Sequence, residues 1–284
     1  GESASRTELG VGLHLPSSDR EENPESRPPA VVLAGALSTI ASSPSEQAWL
    51  HLFALPKLCL RLPPRGGKKK RKTFIPVNFL TQLLRKAKAG EWEVLWTEAN
   101  IASRRKVAKE TSHPRPQQNA IRDRVLALVE EGQLSKACKA LDTAGLHELT
   151  DTVRKALANK HPVSEPLPST SAPIPRPLSL TKEGVLKALG GFQTGTAPGA
   201  SRFRVSHFLD AISIPTGDSD GRLSRPLTQV CNTLVRGEAP LSIARWISGA
   251  PLFPLKKKDG GVRPIAVGEV LRRLVSRACC AAVR

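Results

Sequence analysis

Four cations crowd one turn signal near the end of the chain. Lys256, Lys257 and Lys258 close a short apolar run, Asp259-Gly260-Gly261 follows, and Arg263 lies just beyond. Asp-Gly and Gly-Gly steps supply the positive φ of a tight β-turn, so residues 250–268 read as a β-hairpin with a basic tip. Ammonium and guanidinium groups around flexible glycines suit a polyphosphate or nucleic-acid grip. A solvated turn whose lysines keep a sheet edge soluble carries the same residues. A second concentration of charge is the run Lys68, Lys69, Lys70, Arg71 and Lys72 behind Gly66-Gly67. It reads equally as a solvated arm, a nuclear-localisation patch or a phosphate clamp, because all three need only exposure and charge. A third is the Gly- and Pro-punctuated loop 192–204, which carries Arg202 and Arg204.

The charge of the whole chain favours the binding readings. Net charge is +18 over 284 residues. Residues 1–56 hold three basic against seven acidic side chains, whereas residues 57–284 hold 40 against 18, a surplus of +22. A surplus confined to one part points to a polyanion, nucleic acid ahead of an anionic membrane. No stretch approaches the ~18 apolar residues of a membrane span. The five cysteines (59, 138, 231, 279, 280) show no C-x-x-C spacing and no paired histidines, so neither a zinc site nor a disulfide framework is supported. This usage suits a reducing, intracellular compartment. The chain starts at Gly1 and contains no methionine, which reads as a fragment of a longer reading frame.

The elements that must carry these cations are mostly helical. Residues 1–46, rich in Ser, Pro and Glu, read as a disordered leader, with the apolar run 30–40 as the one exception. Residues 47–161 read as a basic helical extension. Phe79, Leu80, Leu83 and Leu84 form one inward stripe, and Trp92, Leu95, Trp96 and Ala99 form a second whose tryptophans are expected in the core. A helical hairpin breaks at Gly132, and a further helix runs through Leu149 to Leu157; His147 and His161 read as ordinary surface or packing residues. Residues 162–178 form a proline-rich linker. Residues 179–284 hold short helices at 180–189, 205–212, 227–235 and 241–247, then the hairpin. A last amphipathic helix puts Val270, Leu274, Cys279 and Ala282 on one side. The fold class is therefore mostly α with a small α+β part.

Three segments, in order, carry a resemblance. They are Gly195-Thr-Ala-Pro-Gly199 with Phe203-Arg204, then Pro251-Leu-Phe-Pro-Leu-Lys-Lys-Lys-Asp-Gly-Gly261, then Val262-Arg-Pro-Ile-Ala-Val-Gly-Glu-Val-Leu-Arg-Arg-Leu-Val275. Together they resemble the opening blocks of reverse transcriptases of the non-LTR retrotransposon type, over about residues 186–284. Leu62-Pro-Pro-Arg-Gly-Gly-Lys68 and Leu134-Ser-Lys-Ala-Cys-Lys-Ala-Leu141 look more loosely like the N-terminal extension of such reading frames. The resemblance implies an incomplete fingers lobe of an RNA-directed DNA polymerase, a nucleotidyltransferase. RNA and DNA would be its partners, with a deoxynucleoside triphosphate in the complete enzyme. It places Arg263 against the triphosphate of the incoming nucleotide, one of Lys256, Lys257 and Lys258 at the fingers-lysine position, and Arg202 and Arg204 on the template backbone. Lys68, Lys69, Lys70, Arg71 and Lys72 would add template contacts.

Two departures stand out. The resembling loop usually carries glycine where this chain has Arg202, so a narrowed or rearranged loop is expected. In the family, paired metal ions (Mg) are held by palm aspartates that follow the third segment. This chain stops at Arg284 without them, so it is expected to grip phosphates but not to polymerise, with no catalytic residue and no metal of its own. Asp218 and Asp220 form a D-x-D pair, but they precede the fingers block and lack a third ligand. The alternative reading is a non-catalytic nucleic-acid-binding protein. A helical protein–protein adaptor, from the stripes at 76–160, is a weaker third.

Overall fold

A computed structural model of the chain describes residues 28–61, 77–112, 117–130, 132–141, 145–161, 178–193, 195–212, 220–257 and 259–283. Among the described residues the regular elements are twelve α-helices, one short 3₁₀ turn and one two-stranded sheet, so the protein is mostly α with a small α+β part. The leader as far as residue 27, the basic run 68–72 and the proline-rich stretch 162–177 lie outside the described residues.

Helix α1 (Pro28–Ser42) contains the apolar run of the leader. Leu33, Leu37 and Ile40 repeat at four and three residues and are fully buried, so the folded part begins well before residue 47. The short run gave no sign of what would cover it; the cover is the rest of the protein. α1 packs on α2 (Glu46–Leu58), α3 (Val77–Lys88), α9 (Val205–Ile212) and α10 (Ser224–Val235). Ser45 caps α2 by accepting the Ala48 N–H at 3.3 Å, and Glu46 sits in its first turn, where the helix dipole favours an acid.

The stripes read from the sequence mostly face inward. Leu83 and Leu84 of α3 are buried, with Phe79 and Leu80 packed against the core. In α4 (Trp92–Ser112), Leu95 and Ala99 take the core positions. Trp92 packs against the core and stacks on His51 of α2, whereas Trp96 departs from expectation and is 48% exposed. Lys57 of α2 lies 3.9 Å over the Trp96 ring, so α2 covers that ring only in part. Helices α5 (Gln117–Glu130) and α6 (Leu134–Leu141) form the expected hairpin, with Gln133 N–H bonded back to the Leu128 carbonyl at 2.8 Å beside Gly132. The helix expected through 149–157 is α7 (Asp151–Asn159), capped by Thr150.

The C-terminal elements are α8 (Lys182–Gly190), α9, α10, a 3₁₀ turn at Leu241–Ile243, α11 (Ala244–Ser248), strands β1 (Leu252–Lys256) and β2 (Val262–Ala266), and α12 (Val270–Ala282). α12 packs mainly on α8, burying Val270, Leu271, Leu274 and Ala278; Cys279 is only half-buried and Ala282 is exposed, which shifts the expected stripe. Buried side chains from both sides of the proline-rich stretch, Leu33 to Ala99 and Leu180 to Ala278, belong to one cluster. The N-terminal helices thus complete the core of the C-terminal region.

That shared core yields a stability prediction. Leu37→Ala empties a fully buried position at the centre of the cluster and should cost roughly 2–5 kcal/mol. Urea unfolding followed by circular dichroism measures it, and a loss under ~1 kcal/mol would mean that α1 is not part of the core.

Candidate nucleic-acid interface

The hairpin is antiparallel, pairing Leu252 with Ala266, Phe253 with Ile265, Pro254 with Pro264, Leu255 with Arg263 and Lys256 with Val262. Two prolines face each other in mid-ladder without losing a bond. Their pair is one whose nitrogens point away from the partner strand, as the outward Lys256 N–H two residues on shows. On β2 that outward edge is free of the sheet, so Pro264 also blunts it against further pairing. The turn closes when Gly260 N–H reaches the Lys257 carbonyl at 3.1 Å, with Gly260 at φ +79°. Asp259 Oδ1 accepts from Gly261 N–H at 3.0 Å.

The outer edge of β1 is occupied by residues that seemed unremarkable in the sequence. Lys256 N–H donates to the Gly145 carbonyl at 3.0 Å, and His147 N–H donates to the Pro254 carbonyl at 2.8 Å. The His147 ring meets the Gly261 carbonyl at 3.3 Å, so this histidine braces the turn. The extension therefore holds the hairpin from one side. Arg263 is exposed and shares a face with Leu255, Phe253 and Ile265, while Lys256 and Lys257 are half-buried. Lys258 lies outside the described residues.

The Gly195–Gly199 loop is clamped onto the start of α12. Glu269, directly before that helix, is 2% exposed, yet its carboxylate does not cap the helix. It accepts instead from Ser201 N–H at 2.7 Å and from the Ser201 hydroxyl at 2.6 Å. One turn on, Arg273 donates to the Ala197 carbonyl at 2.6 Å. Gly199 is required by contact: a Cβ there would lie 2.7 Å from the Glu269 Cα. On the other side of the loop, the Gln133 amide occupies the space that a Cβ on Gly195 would need. The first and third resembling segments are thus in direct contact, through Glu269, Ser201 and Arg273. Sequence reasoning passed over all three, since an acid before a helix ordinarily signals a cap.

Arg202 takes φ +67°, alone among the described non-glycine residues, and its N–H returns to the Gly199 carbonyl at 3.1 Å. The arginine where the resembling loop has glycine has not removed the left-handed turn; it adopts it, at a steric cost that glycine would not incur. Arg204 is exposed, and its N–H donates to His207 Nδ1 at 3.3 Å. That bond needs a neutral ring. Burial, and then the Arg204 charge, push the His207 imidazole down to about 4.

Lys57, in the last turn of α2, donates to Asn100 Oδ1 at 3.0 Å and lies 3.9 Å over the Trp96 ring. Burial, and then the Arg202 charge, hold the Lys57 ammonium below its ordinary value. Glu98 bridges Arg61 (3.1 Å) and Lys86. Among the described residues, Lys57, Arg202, Arg204 and Arg263 have no carboxylate partner, and no hydrogen bond joins the loop arginines to the hairpin cations.

Among the described residues no three acidic, histidine or cysteine side chains converge. Asp220 is exposed and pairs with Arg222 at 3.6 Å, and Asp218 lies outside the described residues. Among the described helices none is long and apolar enough to cross a membrane. No family model, curated protein or solved structure matches the chain.

Two predictions follow from the loop. Arg202→Gly relieves the left-handed strain and should raise stability by about 1 kcal/mol, read as a higher urea midpoint; an unchanged or lower midpoint would count against a strained Arg202. The pH profile gives the second. His207 folds as the neutral ring, so its contribution is complete above the free value of 6.5 and is lost as pH falls from there toward about 4. His207→Asn, which can still accept from Arg204 N–H, should flatten the decline in unfolding midpoint over that interval. An equally steep decline in the variant would show that His207 is not its source.

Proposed function

We propose that this chain is the template- and nucleotide-gripping part of an RNA-directed DNA polymerase of the retrotransposon type, contributing phosphate contacts rather than metal chemistry. The observation that carries the proposal is the clamp of Glu269 on Ser201. It sets Arg202 and Arg204 on the same frame from which β2, with Arg263, enters α12, and all three arginines are exposed. Guanidinium groups fork phosphate oxygens and keep their charge at any working pH, so unpartnered exposed arginines on a rigid frame suit a polyanion. At the hairpin tip, Arg263 with Lys256 and Lys257 would neutralise the triphosphate of an incoming nucleotide. Arg202 and Arg204 would hold the template backbone. In the complete enzyme, magnesium would assist departure of pyrophosphate. The alternative, a nucleic-acid-binding protein without catalysis, is favoured by the +22 surplus of residues 57–284 and uses the same arginines.

Fluorescence anisotropy of the full chain with a labelled single-stranded RNA tests the shared part of both readings. The expected result is an affinity that falls steeply with salt, the slope shrinking by about 0.7 for each phosphate contact removed. Arg204→Ala should flatten the slope, and Arg263→Ala should weaken binding of a fluorescent deoxynucleoside triphosphate more than binding of RNA. An affinity indifferent to salt, or unaffected by either substitution, would falsify the proposal.

A further inference from the structure

We infer that residues 145–147 are a positioning strap for the basic tip of the hairpin. Through His147 the N-terminal extension sets how well that tip grips nucleotide phosphates. The inference rests on the reading of Arg263, Lys256 and Lys257 as the grip. It adds residues that act on the grip through its backbone rather than by touching the ligand.

The strap reaches the backbone of every described cation at the tip. Lys256 N–H points away from β2 and donates to the Gly145 carbonyl at 3.0 Å. Lys257 N–H donates to the Gly261 carbonyl at 2.8 Å, and the His147 ring meets that same carbonyl at 3.3 Å. A carbonyl only accepts, so the ring must present Nε2–H to it. Arg263 pairs across the ladder with Leu255, and Leu146 bridges Leu255 from the other side. His147 N–H completes the pairing at the Pro254 carbonyl, 2.8 Å away. Further along, α7 packs on β2, so residues 145–159 hold both strands.

Core packing does not account for this attachment. Leu146 is 51% exposed, and Ala137, Ala140 and Leu157, the buried residues of α6 and α7, lie outside the main core cluster. At residues 145–147 the hold is backbone pairing and one imidazole. The same array also reaches the other basic group, because the Gln133 amide lies 2.7 Å from where a Cβ on Gly195 would stand. It thus spans the loop arginines and the hairpin cations, which no hydrogen bond connects among the described residues. A two-stranded ladder is marginal alone in water. A tip ordered before its ligand arrives binds without the cost of ordering, and apparent affinity falls in proportion to the ordered fraction.

Amide exchange and ligand affinity, both measured on the full chain, test the strap together. Exchange at Lys256 reports docking, because its N–H bonds to Gly145 rather than to β2. His147→Pro removes both the N–H that bonds Pro254 and the ring that meets Gly261. It should speed Lys256 exchange and weaken binding of a fluorescent deoxynucleoside triphosphate by about 5- to 30-fold, the loss of one or two hydrogen bonds. Binding of single-stranded RNA should stay within about twofold, since the loop's phosphate contacts are untouched. His147→Ala should give part of the loss, and His147→Gln, whose amide can still donate to Gly261, should recover it. If His147→Pro does not fold by circular dichroism, the His147→Ala and His147→Gln pair decides. Unchanged Lys256 exchange in His147→Pro, or faster exchange with unchanged triphosphate affinity, overturns the strap. Equal losses on triphosphate and RNA overturn it too, as the mark of general destabilisation. A wild-type chain that binds RNA but no triphosphate removes the nucleotide-grip reading, and this inference with it. Triphosphate binding that depends on Arg263 but not on His147 removes this inference alone.

Discussion

The buried carboxylate of Glu269 constrains the C-terminal half more than any other single group. A charge taken out of water must find strong partners, and Glu269 finds them in the backbone and hydroxyl of Ser201 rather than in its own helix. Those bonds form only if the loop backbone comes close, which only glycine at position 199 permits. Arg273, one turn further along α12, ties the same loop again at Ala197. The loop and the helix start therefore behave as one piece. Because Val267 and Gly268 alone separate β2 from Glu269, the hairpin is rooted on that piece too.

The N-terminal helices extend this frame. α1 lies against α9 and α10, and α2 packs on α1 and α4. Residues 145–147 pair with the open edge of β1 and brace its turn through His147. A two-stranded hairpin is marginal by itself in water, so this third segment and the nearby α7 supply support the ladder cannot provide alone. The extension is thus both a partner in the core and a prop for the basic tip.

Arg202 illustrates how a departure from a resembling pattern can leave the backbone course intact. The position demands a left-handed residue because the turn from Gly199 must deliver Ser201 to Glu269. Glycine would meet that demand without strain. Arginine meets it at a cost and keeps its side chain exposed. Strain retained at an exposed cation is the pattern expected where the side chain has a use that stability does not reward.

Helix content, the glycine stop at Gly132, the hairpin turn at Asp259-Gly260 and the segregation of charge were legible in the sequence, because each is a local property of spacing, turn chemistry or composition. The inward stripe of α3 was legible for the same reason. The fate of the run 30–40 was not, since its cover comes from helices some 180 residues away in the chain. Nor was the exposure of Trp96, which helical period alone does not fix. The roles of Glu269, Ser201, His147 and Lys57 were equally hidden, because each bonds to or lies beside a residue distant in sequence. By itself the sequence determined most of the helices after residue 47, the hairpin and which segments carry positive charge. Only the tertiary structure decided which cations share a frame, because that frame rests on one buried carboxylate and one glycine contact between segments 70 residues apart.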